Sequence, residues 1–294
     1  MNNYIPEEVV NYINDKSGAK LIVDDIRIKN NRIYVTEKNL VFLNSVIDEF
    51  KLFIYEVNNL FGISDCDING KFVFPKTVRK LSINNSTFSN TELNLSNMRC
   101  RTNAFNKINN TNLTKIVMPH YTPFTLNYLP AFEIEDNAEL CSIVFQREDI
   151  PKAMAKIKGR CAFTKFNDIV FEHLNVLSLS EAKSCITNFD DCDKCGNVND
   201  LYLNMDKFKS FEGIKNLKVL CDLYIIGIQN YNNVLELFHT TIPDIELSSQ
   251  TLPHVDDELN KILKTIAVDN RKEYIMDGAL ILIEHDLTGD ELIT

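Results

Sequence analysis

The chain has 294 residues and carries 31 Lys plus Arg against 41 Asp plus Glu, a formal net charge of -10. That balance argues against a general nucleic-acid binder, because neutralising phosphates takes clustered positive charge, and no apolar run reaches the roughly 18 residues of a membrane span. Eight cysteines at irregular spacing exclude a small disulfide scaffold and point to free thiols in a reducing, cytoplasmic setting.

The first element in chain order is "IPEEVVNYIN", which predicts a short amphipathic helix with Pro6 near its start and Ile5, Val9 and Ile13 on one side. "DIRIKNNRIYV" predicts a β-hairpin, Ile26 and Ile28 opposite Ile33 and Val35, turning at Asn30 and Asn31. "KNLVFLNSVIDEFKLFIYEVNNLFG" has the apolar spacing of a long helix, with Leu40, Leu43, Ile47, Phe50, Ile54 and Val57 facing inward. Residues 1–65 are therefore expected to form a small α+β cap ahead of a second region, residues 66–294. The opening "MNNYIPEEVVNY" has neither the basic nor the apolar segment of a secretory signal.

Beyond residue 70 an L-x-x-L-x-L pattern of apolar residues recurs. It is carried by Val78/Leu81/Ile83, Leu113/Ile116/Met118, Leu140/Ile143/Phe145 and Leu174/Leu177/Leu179. It continues through Val198/Leu201/Leu203, Leu220/Leu223/Ile225, Ile242/Ile245/Leu247 and Leu263/Ile266/Val268, with a partial copy at Leu93/Leu95. The middle residues are separated by 12, 23, 27, 34, 24, 22, 22 and 21 positions. Each triplet predicts a strand whose alternate residues point inward, and stacked copies would share one core.

The segments between triplets supply the returning elements. "MDKFKSFEGIKN" spaces Phe208, Phe211 and Ile214 as a short helix or 3₁₀ turn would, and "IQNYNNVLELFHT" offers Val234, Leu235 and Phe238. "HVDDELNKIL" predicts a helix with Asp256 and Asp257 in its first turn and Val255, Leu259 and Ile262 inward. "DIPKAMAKIKG" has helix signals as well: Pro151 early, Lys156 and Lys158 late, Gly159 as the stop. "ALILIEHD" is an apolar strand suited to closing the last coil.

This series, over about residues 70–270, resembles the leucine-rich repeat superfamily in an irregular form, with a period near the family's 20 to 29 residues. The resemblance implies an α/β fold, a leucine-rich-repeat-like solenoid with caps at both ends. The family's Asn or Cys ladder would fall at Ser86, Met98, Tyr121, Glu148, Ala182, Asp206, Ile228 and Gln250, so it is missing and the solenoid is expected to be distorted. "YIPEEVVNYI" resembles the opening of an F-box, which would make the chain a ubiquitin-ligase adaptor; "LIVDDIRIKNNRIYV" then departs into strands where an F-box continues as helices.

Two constellations bear on chemistry. Cys192 and Cys195 form a C-x-x-C with Cys185 seven residues upstream, three thiols toward a zinc site that needs a fourth ligand from Cys221 or His173. The alternative is that "DDCDKCGN" is a turn. A calcium loop fails at Tyr202, where a bidentate Glu is required, and Glu284, His285, Asp286 and Asp290 form an acidic cluster for metal or catalytic work, or a solvated tail. No nucleophile elbow, phosphate-binding glycine loop or zinc-protease motif occurs, so no cofactor is expected.

The second constellation comes from the repeat itself. Residues flanking each middle position face solvent, which stacks Asp200 and Tyr202, Asp222 and Tyr224, then Asp244 and Glu246 on consecutive strands. Lys80 and Lys115 take equivalent places, with Arg79 adjacent, in a basic half, where residues 71–166 hold 14 basic and 7 acidic side chains; residues 240–294 hold 4 and 12. The expected function is a non-enzymatic module that grips a protein partner. Richness in Asn, Ile and Lys, the bias of AT-rich genomes, suggests a virus- or phage-encoded effector or inhibitor in the host cytoplasm. A metal-dependent enzyme and a nucleic-acid binder using residues 71–166 are the alternatives.

Overall fold

The computed structural model describes residues 4–36, 39–48, 52–101, 105–122, 131–146, 154–183, 185–192, 195–204, 207, 209–228, 230–248, 255–277 and 280–285. The chain divides into two compact units, Met1–Cys161 and Ala162–Thr294. Both are stacks of mainly parallel strands, so the fold is a mostly β solenoid with two α-helices among the described residues rather than the expected α/β one.

The N-terminal unit opens with α1 (Pro6–Ser17), started by Pro6 and stopped by Gly18 in the left-handed conformation. The hairpin β1 (Ile26–Lys29) and β2 (Arg32–Val35) follows, pairing Ile26 with Val35 and Ile28 with Ile33 as expected. The long helix expected next is absent. Its residues form β3 (Leu40–Leu43), β4 (Val46–Ile47), β5 (Ile54–Val57) and β6 (Leu60–Ser64), while Phe50 lies outside the described residues. The apolar residues do fit a helical spacing, but they also alternate in short runs broken at Asn44–Ser45 and Asn58–Asn59, and stacking between coils decides for strands.

The coils continue through β7 (Asp67–Ile68), β8 (Thr77–Val78), β9 (Lys80–Asn84), β10 (Thr87–Phe88), β11 (Glu92–Asn94), β12 (Arg99–Arg101), β13 (Phe105–Asn109) and β14 (Lys115–Val117). They end with β15 (His120–Thr122), β16 (Ala131–Glu135), β17 (Ser142–Val144) and β18 (Met154–Arg160). The first face runs β1-β2-β5-β8-β12-β15 and the second β3-β6-β9-β13-β16-β18; shorter strands make the rest, β4-β7-β10 and β11-β14-β17. The helix expected at "DIPKAMAKIKG" is therefore strand β18 where it is described, since Ala155 and Ile157 alternate inward to pair in register with β16.

A corner ladder organises this unit. Asn44, Asp65, Asn85, Asn110, Asp136 and Gly159 all have left-handed φ values between 46° and 64°. Each of the first five donates its backbone N–H across to the next coil, to the carbonyls of Ser64, Asn84, Asn109, Glu135 and Lys158. Asn and Asp tolerate this conformation far better than other side chains. Just inside the corner sits a polar column: Ser86 Oγ accepts from Cys66 N–H at 3.2 Å, and Asn137 Oδ1 accepts from both the N–H and the hydroxyl of Thr111.

The C-terminal unit stacks β19 (Ile169–Lys183), β20 (Cys195–Asn204), β21 (Asp222–Ile226) and β22 (Asp244–Ser248) in parallel. The middle residues of the repeat fall in register, Leu177 to Leu201 to Leu223 to Ile245. The returns are 3₁₀ turns at Ile214–Asn216 and Val234–His239, burying Ile214, Val234, Leu237 and Phe238. Leu220, assigned to a triplet, is exposed, and Val219 takes the buried place.

The last expected triplet does not form a strand: Leu263, Ile266 and Val268 belong to α2 (Asp257–Asp269), capped by the Asp256 carboxylate accepting from Leu259 N–H at 2.7 Å. Ile262, expected inward, is exposed, and Leu263 and Ala267 pack instead. An antiparallel hairpin, β23 (Lys272–Asp277) and β24 (Leu280–His285), closes the stack by pairing β24 with β22.

Candidate functional site

The C-terminal unit presents one strongly charged sheet face. On β21 and β22 the residues Leu223, Ile225, Ile245 and Leu247 are buried, so period-two alternation sends Asp222, Tyr224, Asp244 and Glu246 to the opposite face. Register then aligns them: Asp222 pairs with Asp244, Tyr224 with Glu246 and Tyr202 with Tyr224, while Asp200 lies one residue before the Leu201–Leu223 pair. The Tyr202 and Tyr224 rings stack with centroids 4.6 Å apart and planes 1° from parallel.

The closing hairpin extends the acid row in a way the repeat did not reveal. Asp244 pairs with Glu284 on β24, and Glu284 with Glu273 on β23. Five adjacent strands thus carry Asp200, Asp222, Asp244, Glu284 and Glu273 in one column. The signal was the alternation in "KEYIMD" and "ALILIEH", but the antiparallel register that aligns them is set by tertiary pairing. Among the described residues no ion pair involves any of the five, and none involves Glu246.

Electrostatics follow from this crowding. Burial pushes the Asp200 carboxyl above its ordinary range and the charge of Asp222 adds to it; Asp244 is raised by the same two causes. Burial and the neighbouring aspartates also raise the Tyr202 and Tyr224 hydroxyls, so both rings stay neutral donors. The exposed Cys221 thiol is raised by burial and then by Asp200, Asp222 and Asp244, which makes it a poor nucleophile.

The second face of the N-terminal unit shows the contrast. There Lys107 lies 3.2 Å from Glu133, Lys158 lies 3.3 Å from Glu133, and Lys107 also bonds Glu135. Burial alone would raise Glu133, but hydrogen bonds from Lys107 and Lys158 outweigh it and hold its carboxyl below the usual range. Charges on that face alternate in sign and satisfy one another; those of the acid column do not.

The basic residues expected to form an equivalent ladder are dispersed. Arg79 precedes β9, Lys80 opens it, and Lys115 lies on β14 in a different sheet, 3.7 Å from Glu92.

The three thiols have separate surroundings. Cys192 and Cys195 are buried; Cys192 Sγ donates to the Phe189 carbonyl, and Cys195 Sγ lies 3.3 Å from that of Phe166. Cys185 Sγ is 3.2 Å from Lys207 Nζ. Among the described residues no group of three or more His, Cys, Asp or Glu could hold a metal ion. Gly196 has a packing role, because a Cβ there would lie 2.0 Å from the Glu172 carbonyl oxygen. Glu284 and His285 end β24, and Asp286 and Asp290 lie outside the described residues.

Compared with family models, curated proteins and solved structures, the chain finds no match, so neither the leucine-rich repeat nor the F-box resemblance gains support.

Proposed function

We propose that the chain is a non-enzymatic protein-binding module whose C-terminal unit grips a cationic segment of a partner protein. The observation that carries this reading is the column of Asp200, Asp222, Asp244, Glu284 and Glu273 beside the stacked tyrosines, half-buried at Asp200 and Asp222, exposed at the other three acids, and without internal cations among the described residues. Like charges on adjacent strands cost stability, and a Lys- or Arg-rich partner relieves that cost on binding. Tyr202 and Tyr224 add two neutral rings already held in place, surfaces on which a guanidinium stacks with little further ordering. The exposed Ile226 and Ile275 extend the same face with apolar area.

Titrating the whole chain into a labelled Lys/Arg-rich peptide tests this by fluorescence anisotropy. Saturable binding that weakens steeply with salt is expected, with a length-matched neutral peptide not binding. Equal affinity for both peptides would sink the reading.

A further inference from the structure

We propose that the first face of the N-terminal unit docks the acid column of a second copy of this chain, an inference that rests on the binding function proposed above. Buried Ile26, Ile33, Val35, Ile54 and Val78 point the alternate residues of this sheet outward. Register then lays them in a row: Arg27 beside Tyr34, Tyr34 beside Glu56, Glu56 beside Thr77, Thr77 beside Arg99, and Arg99 beside His120. Next to that row Lys29 pairs with Arg32, whose guanidinium sits 4.5 Å over the Tyr55 ring, and Tyr55 lies 5.3 Å from Tyr34.

Arg27, Lys29, Arg32 and Arg99 are exposed, and none makes an ion pair among the described residues. A recess of about 400 Å³ lies on this face, lined by Arg27, Lys29, Tyr34, Thr36, Glu56 and Asn58.

Such a surface, cationic on β1, β2 and β12 with Glu56 between, wants carboxylates on separated strands together with aromatic rings to stack on its arginines. The acid column with Tyr202 and Tyr224 has that composition, and every molecule carries one of each face. The extents also match: six strands at about 4.8 Å separation span roughly 24 Å, five span roughly 19 Å. Because the two faces are different patches, the contact is heterologous and copies add head to tail.

Sedimentation velocity of the full chain at low and high ionic strength tests this. Concentration-dependent association is expected at low salt and its loss at high salt. Arg27→Glu/Arg99→Glu and Asp222→Lys/Asp244→Lys should each weaken it by at least about tenfold. Mixed together, Arg27→Gln/Arg99→Gln and Asp222→Asn/Asp244→Asn retain one intact face of each kind and should form a dimer that grows no further. Cooperative melting near or above the wild-type temperature shows that the substitutions leave the fold intact, and Arg27→Gln/Arg99→Gln supplies a milder pair.

A wild-type chain that stays monomeric at low salt, or association indifferent to Arg27 and Arg99, overturns the inference. If the Lys/Arg-rich peptide still binds in that case, only the self-association fails; loss of both removes the proposed function as well. Binding of a labelled oligouridine that depends on Arg27 and Arg99, without self-association, would also overturn it and assign the face to nucleic acid.

Discussion

Asp222 is flanked by carboxylates on both neighbouring strands, and the consequence is a pH dependence of defined sign. Asp200 and Asp244 take up protons more readily folded than unfolded, because burial and then the charge of Asp222 raise them. The folded state therefore gains stability as pH falls from neutrality toward the ordinary aspartate range. The melting temperature of the C-terminal unit should rise as pH falls from 7 toward about pH 4, and Asp222→Asn should raise it at pH 7 and flatten the profile. Thermal melts across that range check both, and a melting temperature that falls monotonically would count against the unrelieved column.

Lys272 is a second residue under tension. It is buried, among the described residues its ammonium reaches only the Thr240 hydroxyl at 3.5 Å and the Ile242 carbonyl at 3.3 Å, and burial lowers its pKa. An interior cation without a carboxylate costs more than an apolar side chain of similar volume. Lys272→Met should therefore stabilise the protein by roughly 1 kcal/mol, read from denaturant unfolding.

At the scale of elements, the corner ladder decides what the N-terminal unit is. Asn137 accepts from the Thr111 N–H and hydroxyl and donates to the carbonyls of Ile108 and Glu135 while fully buried. Asn137→Ala leaves those groups unpaired in the interior and should cost about 3 kcal/mol of unfolding free energy. A loss below about 0.5 kcal/mol would mean that the polar column is dispensable.

The same element explains what could be read from the sequence and what could not. Hairpin β1–β2, α1, α2 and the in-register strands from Leu177 to Ile245 were legible, because turn residues, caps and a period of 22 to 24 all agree there. The strands of β3 to β5 and the start of β6, within residues 38–62, fit a helical spacing instead. Their true signal is apolar-x-apolar-x-Asn/Asp followed by a small or polar residue: Leu40-x-Phe42-x-Asn44-Ser45, Phe61-x-Ile63-x-Asp65-Cys66, Leu81-x-Ile83-x-Asn85-Ser86 and Phe132-x-Ile134-x-Asp136-Asn137. That pattern marks a left-handed corner, which an L-x-x-L-x-L search passes over. Leu81 and Leu93, counted as neighbours in one series, consequently lie in different sheets.

For the molecule as a whole, the uneven charge along the chain resolves into faces. Acidic residues after position 240 supply Asp244, Glu273 and Glu284 to one column, whereas Lys107 and Lys158 are spent on Glu133 and Glu135. Three of the column's five members, Asp200, Asp222 and Asp244, were visible from the spacing of 22. The rest depended on an antiparallel closure that brings Glu284 beside Asp244, a pairing no local pattern encodes. Exposed cations instead gather on the first face of the N-terminal unit, through Arg27, Lys29, Arg32 and Arg99.

The acid column and its tyrosines are proposed as a binding surface for cations on a protein. Its most direct test is the affinity of the labelled Lys/Arg-rich peptide for the wild-type chain and for Asp222→Lys/Asp244→Lys at matched low salt. At least a tenfold loss, about 1.4 kcal/mol, is expected with a cooperative melt at or above the wild-type temperature; equal affinity in a folded variant would contradict the claim.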